Sequence, residues 1–273
     1  MADNESLPAV ISAAVGEVTP ELRGTKYGKC GRFAVAALSV IPWVGGVIGA
    51  SAALHAEAEQ SKLNELIQQW LEQHHHKINE LVATLDDIVS RVDQLGAEPQ
   101  QRLNQDDYLA LVRQGFRIWD GSNTDSKRGY VRRTLTNAAS TSICSDDLVR
   151  LFLEWIERYD ETHFRVIRVL FRNKGATRGR IWEEIGNGPV REDSAEADLF
   201  KLLIFDLSTG HVLRQMRQTN EYGEFLAKPR TGRSVGRSGT LESAFEDTKP
   251  YELTTMGEQF ATYVLNETVP RIA

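Results

Sequence analysis

From about Glu57 to Leu95, apolar side chains recur at alternating spacings of four and three residues, through Ile67, Leu71, His74, Ile78, Leu81, Leu85, Ile88, Val92 and Leu95. Such a seam predicts one long amphipathic helix that packs in a bundle or a coiled coil. At 1.5 Å per residue it would run for about 55–60 Å. Gly96 and Pro99 are expected to end it. On this seam Ile67, Leu71, Ile78, Leu81, Leu85 and Ile88 are the expected oligomerisation contacts. His74 is its one polar member, a partly wet position whose alternative role is a register lock or pH-sensitive point. His74, His75 and His76 project about 100° apart on a helix, so they do not converge on one metal.

Before that helix, from Phe33 to Ala56, 24 residues pass without a Lys, Arg, Asp or Glu. About 20 apolar residues suffice to span a bilayer, so the length alone is adequate. The centre of the run, Val40-Ile41-Pro42-Trp43-Val44-Gly45-Gly46-Val47-Ile48-Gly49, breaks it into two short arms joined by a bend. Its content of Ala, Gly and Ser also disfavours a permanent span. Two readings follow. In one, residues 33–56 form a helical hairpin buried in a bundle, with small residues allowing close contact. In the other, the hairpin is hidden at rest, and Val40 to Gly49 enter a membrane on activation, Gly45 and Gly49 letting helices approach in lipid.

Residues from Asp106 to Arg172 continue in helical pattern, with Tyr108, Leu111, Val112, Phe116 and Trp119 forming one stripe and Phe152, Trp155, Ile156 and Tyr159 part of another. Ser122, Asn123 or Thr124 is placed to cap the helix between them. The cluster Lys127, Arg128, Arg132 and Arg133 is expected to be solvated or paired with acids, with phosphate contact as its alternative.

Further on, Phe164, Ile167, Leu170 and Phe171 close one helix, and Thr177 caps a short helix holding Ile181, Trp182 and Ile185. Ser194 opens a third, bearing Ala197, Phe200, Leu203, Ile204 and Leu207. A strand follows at His211 to Met216, and a second strand and closing helix at Tyr251-Glu252-Leu253-Thr254-Thr255-Met256-Gly257-Glu258-Gln259-Phe260. Helix, turn, helix, helix and two strands is the order of a winged helix-turn-helix. The closing motif resembles the last wing strand and helix of many bacterial winged-helix proteins, over roughly residues 163–267. That resemblance implies a third helix that reads the major groove and a wing that touches phosphate. The chemistry departs from it. Glu192, Asp193, Glu196, Asp198 and Asp206 stand on the third helix and its lead-in against Arg191 and Lys201. An acidic helix is electrostatically unfavourable in a groove lined by phosphates.

The wing insertion, 219–249, is long for a loop. It carries Lys228, Arg230, Arg233 and Arg237 with no acid between Glu224 and Glu242. It is read as a solvated loop, or else as a phosphate-contacting arm with salt-dependent binding. A second resemblance covers residues 1–172. The short helical start, the Ile-Pro-Trp-Val-Gly-Gly segment and the long amphipathic helix look like the Bell or HeLo-like membrane-targeting domains of bacterial immune and cell-death proteins. It implies a four-helix bundle that oligomerises, perturbs membranes when released and carries no catalytic residue.

Composition adds exclusions. The 273 residues, 41% hydrophobic and 26% charged, exclude collagen-like, disordered and disulfide-rich classes. Net charge is −6 and no third of the chain is strongly basic, which argues against a nucleic-acid-coating protein. Cys30 and Cys144 match no zinc or redox spacing, so a reducing compartment is expected. The acidic start lacks the positive region of a secretory signal, and none is expected. No phosphate-binding Gly-rich loop or His-Glu-x-x-His helix occurs. Gly232-Arg233-Ser234-Val235-Gly236 matches a nucleophile elbow in letters, without the flanking strand and helix that such an elbow needs. No catalytic residue, cofactor or metal site is expected.

The expected fold is mainly α, with a helical bundle at 1–160 and a winged-helix α+β domain at 161–273. The leading functional expectation is a non-enzymatic, immunity-type effector, a cytoplasmic homo-oligomer that becomes peripheral to the inner membrane when a protein trigger acts on it. Its alternative is a DNA-binding regulator dimerising through the long helix. The third reading is a structural scaffold whose hairpin is simply core.

Overall fold

Helices in the first half of the chain are amphipathic because their apolar residues recur every three to four positions, and each must bury that stripe against another. The computed structural model describes residues 31–42, 77, 79–81, 83–216, 222 and 243–266. Over these the chain is mainly helical, with one small two-stranded antiparallel sheet. It divides into two units, Met1–Arg158 with Asn266–Ala273, and Tyr159–Leu265.

In the first unit the described elements are α1 (Gly31–Leu38), α2 (83–94), α3 (Ala97–Arg102), α4 (Asp106–Gly121), α5 (Asp125–Ser140) and α6 (Asp146–Arg158). Helix α4 packs against α1, α5 and α6. Its Tyr108, Leu111, Val112 and Phe116 are fully buried, and Phe33 of α1 stacks on Tyr108 and meets Phe116 edge-on, each at 6.4 Å between ring centroids. The Tyr108 hydroxyl donates to the Leu135 carbonyl of α5 at 3.0 Å. A Cβ on Gly115 would sit 2.9 Å from a Leu135 methyl, so the missing side chain lets α4 and α5 approach. Thr124 accepts from Lys127 N–H at 3.3 Å and is the cap of α5.

The basic cluster on α5 is paired. Arg128 meets Glu80 and Asp125, Arg132 meets Asp87, and Asp87 also holds Arg91 at 2.8 Å. Lys127 reaches the Glu157 carbonyl at 3.2 Å, and the Arg133 guanidinium lies over the Tyr130 ring. These pairs set α2 beside α5, while Leu81, Leu85, Ile88 and Val92 are buried beneath them. The seam read from sequence as an oligomer contact is therefore, at Leu81, Leu85 and Ile88, the interior of a single chain. Ile67, Leu71 and Ile78 lie outside the described residues.

One expected helix end is corrected. Gly96, at φ 105°, follows the end of α2 in the left-handed region that glycine tolerates. Pro99, however, stops nothing: it is buried in the first turn of α3, where the missing N–H would have had no helical partner.

The second unit comprises α7 (Glu161–Arg172), α8 (Arg178–Glu184), α9 (Ala195–Thr209), β1 (Leu213–Gln215), β2 (Tyr251–Leu253) and α10 (Thr255–Leu265). Thr177 caps α8 by accepting from Arg180 N–H, and Ser194 caps α9 by accepting from Ala197 N–H, as the sequence predicts. The strands pair in the register Leu213–Leu253, Arg214–Glu252 and Gln215–Tyr251. Glu252, though buried, takes Arg214 at 2.8 Å and Lys174 at 3.6 Å. Ala176, between α7 and α8, makes an antiparallel bridge to Tyr251. Thr254 donates to the His211 carbonyl at 2.7 Å and accepts from Gly257 N–H at 2.9 Å, fastening the start of α10. A Cβ on Gly257 would fall 2.0 Å from the Val212 carbonyl oxygen, so this approach requires glycine.

The intrachain seam makes a prediction. Leu85→Ala should cost about 2–5 kcal/mol in urea unfolding. The midpoint should not change with protein concentration; a concentration-dependent midpoint would return the seam to an interface between chains.

Candidate functional site

The third helix of the second unit is positioned by aromatic packing. Phe200, fully buried on α9, lies 5.2 Å from the Trp182 ring of α8 and stacks on Phe245 at 5.7 Å, while Trp182 and Phe245 are 5.1 Å apart. The Trp182 indole N–H donates to the Gly188 carbonyl at 2.8 Å, which closes the turn that leads toward α9. Phe245 belongs to the end of the stretch that joins β1 to β2. That end is tied down by Glu192, which accepts from Ala244 N–H at 2.9 Å and from the Ser243 hydroxyl. The Ala244 amide and then the Ser243 hydroxyl hold the Glu192 carboxyl below its ordinary range. The Thr177 hydroxyl adds a bond to Asp247 at 2.8 Å.

With Ala197, Phe200, Leu203, Ile204 and Leu207 turned inward, α9 still exposes Leu199, Leu202 and Phe205, at 52%, 52% and 64%. Spaced by three residues, they fall within an arc of about 120° on the side away from the core. Asp198 and Asp206 fall in the same arc, with Glu196 beyond one edge and Lys201 beyond the other. The two cations here are already engaged. Arg191 grips Asp193 through two bonds of 2.8 Å, holding that carboxyl below its ordinary range, and Lys201 lies 3.5 Å from Asp198. Asp206 lies 3.8 Å from Nε2 of the buried His163. His163 Nδ1 accepts from Asp160 N–H at 3.1 Å, so a neutral ring carries its proton on Nε2, toward that carboxylate.

Other expected site residues are placed as follows. Val40 is half-buried, Ile41 is buried at 1% exposure and Pro42 is exposed. Ile41 shares its burial with Phe33, Ala36, Ala37 and Leu38, so this part of the uncharged run is core. Trp43, Val44, Gly45, Gly46, Val47, Ile48 and Gly49 lie outside the described residues. So do Lys228, Arg230, Arg233, Arg237 and the Ser234 elbow match. Among the described residues no helix is long and apolar enough to cross a membrane, and no group of His, Cys, Asp or Glu is arranged to hold a metal.

Sequence reading passed over Leu199, Leu202 and Phe205. The available signal was a helix apolar on two faces, where one face would satisfy the fold. No protein-family model, curated protein or solved structure matches the chain.

The two faces of α9 should separate in mutagenesis. Phe200→Ala is expected to lose about 3–5 kcal/mol of stability. Phe205→Gln is expected to stay within about 0.5 kcal/mol of the parent in the same unfolding measurement.

Proposed function

We propose that the chain is a non-enzymatic, two-part effector of the bacterial immunity type. Its second unit is a winged helix-turn-helix that contacts protein, and its first unit oligomerises and associates with membrane when released. Support for the winged-helix reading comes from the order α7, α8, α9, β1, β2, and from the Ala176–Tyr251 bridge, which sets a third extended position beside β2. The observation that carries the functional reading is the exposed face of α9. Where a base-reading helix would offer Arg, Lys or Asn to a groove, this one offers Leu199, Leu202 and Phe205 with Asp198 at one end of the stripe and Asp206 at the other. Phosphates repel such a face, and an apolar protein surface is attracted to it.

The membrane step is supported by the state of the uncharged run. Phe33, Ala36, Ala37, Leu38 and Ile41 are buried in the first unit, as residues of a segment hidden at rest would be. The first unit's likeness to Bell or HeLo-like domains, carried by Ile41-Pro42-Trp43-Val44-Gly45-Gly46, points the same way.

Sedimentation with anionic liposomes tests this function. The expected result is lipid-dependent pelleting that is abolished in Gly46→Glu and in Val47→Glu, both of which leave the second unit folded. A protein indifferent to lipid would make the hairpin permanent core and remove the membrane step. A gel shift at low salt addresses the other class: DNA binding that weakens steeply with salt and is lost on replacing Arg230, Arg233 and Arg237 would favour the DNA-binding regulator.

A further inference from the structure

The α9 face has a chemistry specific enough to name what covers it. A second copy is a poor occupant. An antiparallel pair of α9 helices centred on Leu202 would set Asp198 of each opposite Asp206 of the other, and like charges directly apposed repel. Anionic lipid and nucleic acid are poor occupants for the same reason. The stripe Leu199, Leu202 and Phe205 calls for apolar anchors, and Asp198, Asp206 and Glu196 call for cations beside them. Within the chain Lys201 lies 3.5 Å from Asp198, His163 lies 3.8 Å from Asp206 and Arg191 grips Asp193, which leaves α9 with three carboxylates, Glu196, Asp198 and Asp206, against one lysine.

We propose that the exposed face of α9, formed by Leu199, Leu202 and Phe205 with Asp198 and Asp206, docks a basic amphipathic helix of a partner protein. The partner helix lays Leu, Ile or Phe side chains at spacings of three and four over the stripe, and directs Lys or Arg to the carboxylates. This is the helix-on-helix mode of peptide recognition, with apolar contact giving affinity and charge giving register. Asp198 stands one residue before the first apolar anchor, and so reports on the register of the partner. The contact is small, and on its own belongs to the weak, transient class of interfaces. The inference rests on reading the second unit as protein-binding, and it identifies the kind of partner that unit takes.

The test uses the full chain and two labelled synthetic helices of about 18 residues, five turns each. Both carry Leu at alternating spacings of three and four; one has Lys and Arg at the remaining positions, and the other has Glu. Fluorescence anisotropy should show binding of the basic helix and none of the acidic one. The double variant Leu202→Gln, Phe205→Gln keeps the net charge, and should weaken the basic helix at least about tenfold with an unchanged unfolding midpoint. Asp198→Asn should weaken it by a smaller factor and flatten its salt dependence. Equal binding by the parent and the double variant would overturn the proposal, because attraction to net negative charge would then explain everything. Binding of neither helix would overturn it as well. Self-association of the chain that the double variant abolishes would replace the partner with a second copy. Lipid pelleting and DNA binding are read on other residues, so their failure is distinguishable from failure here.

Discussion

The contact among Trp182, Phe200 and Phe245 decides how the second unit presents itself. Phe200 sits on α9, Trp182 on α8 and Phe245 at the return of the long insertion, so one cluster of rings joins three separate stretches of chain. Aromatic pairs at such separations add about 0.5–1.5 kcal/mol each beyond their burial. Their consequence for orientation is larger than that figure suggests. With Phe200 turned inward, the helical period fixes Leu199 and Leu202 outward, and Phe205 follows on the same side. Glu192 then anchors Ala244 and Ser243 next to the rings, so the acidic lead-in of α9 has a structural use as well as an electrostatic one.

In the first unit the comparable constraint is the burial of α2 and α1 against the α4–α5 pair. Ion pairs from Arg128 and Arg132 set the lateral position of α2, but their side chains remain partly solvated. Exposed and half-exposed pairs contribute modestly, so Leu81, Leu85, Ile88 and Val92 carry most of the attachment. The same reasoning bounds any release of the segment that holds Phe33, Leu38 and Ile41. Extracting Phe33, Leu38 and Ile41 exposes three large side chains at about 1.5–3 kcal/mol each. Arg32 would also lose its bond to the Asn104 carbonyl. A released state must therefore rebury those residues, in lipid or against other copies, and a trigger must favour that state over the packed one by a comparable amount.

Much of this was legible in the sequence for a local reason. Thr124, Thr177 and Ser194 are caps whose side-chain oxygen satisfies a nearby N–H, and a cap is written within four residues. The strand pair and closing helix were legible because Thr254 and Gly257 act locally. Partnership across the chain was not. The seam of α2 shows the same period whatever its partner, and the period does not announce that Glu80 and Asp87 meet Arg128 and Arg132 within the chain. Pro99 misled because a proline signals a boundary without saying on which side of it the next helix starts. The stripe on α9 was hidden by its neighbours: the residues between Ala197 and Leu207 are apolar in nearly every direction, so the pattern names no single buried face.

That ambiguity is also the argument for a partner. A helix needs one apolar face to join its own core, and α9 has that in Ala197, Phe200, Leu203, Ile204 and Leu207. A second face adds nothing to folding and exposes the chain to non-specific association. Asp198 and Asp206 within that face limit the cost, because they keep the stripe soluble and repel a like copy. They also repel phosphate. Apolar anchors with acids among them are thus suited to one kind of contact, a surface apolar and basic together, and the selectivity comes from the charges that make every other contact unfavourable.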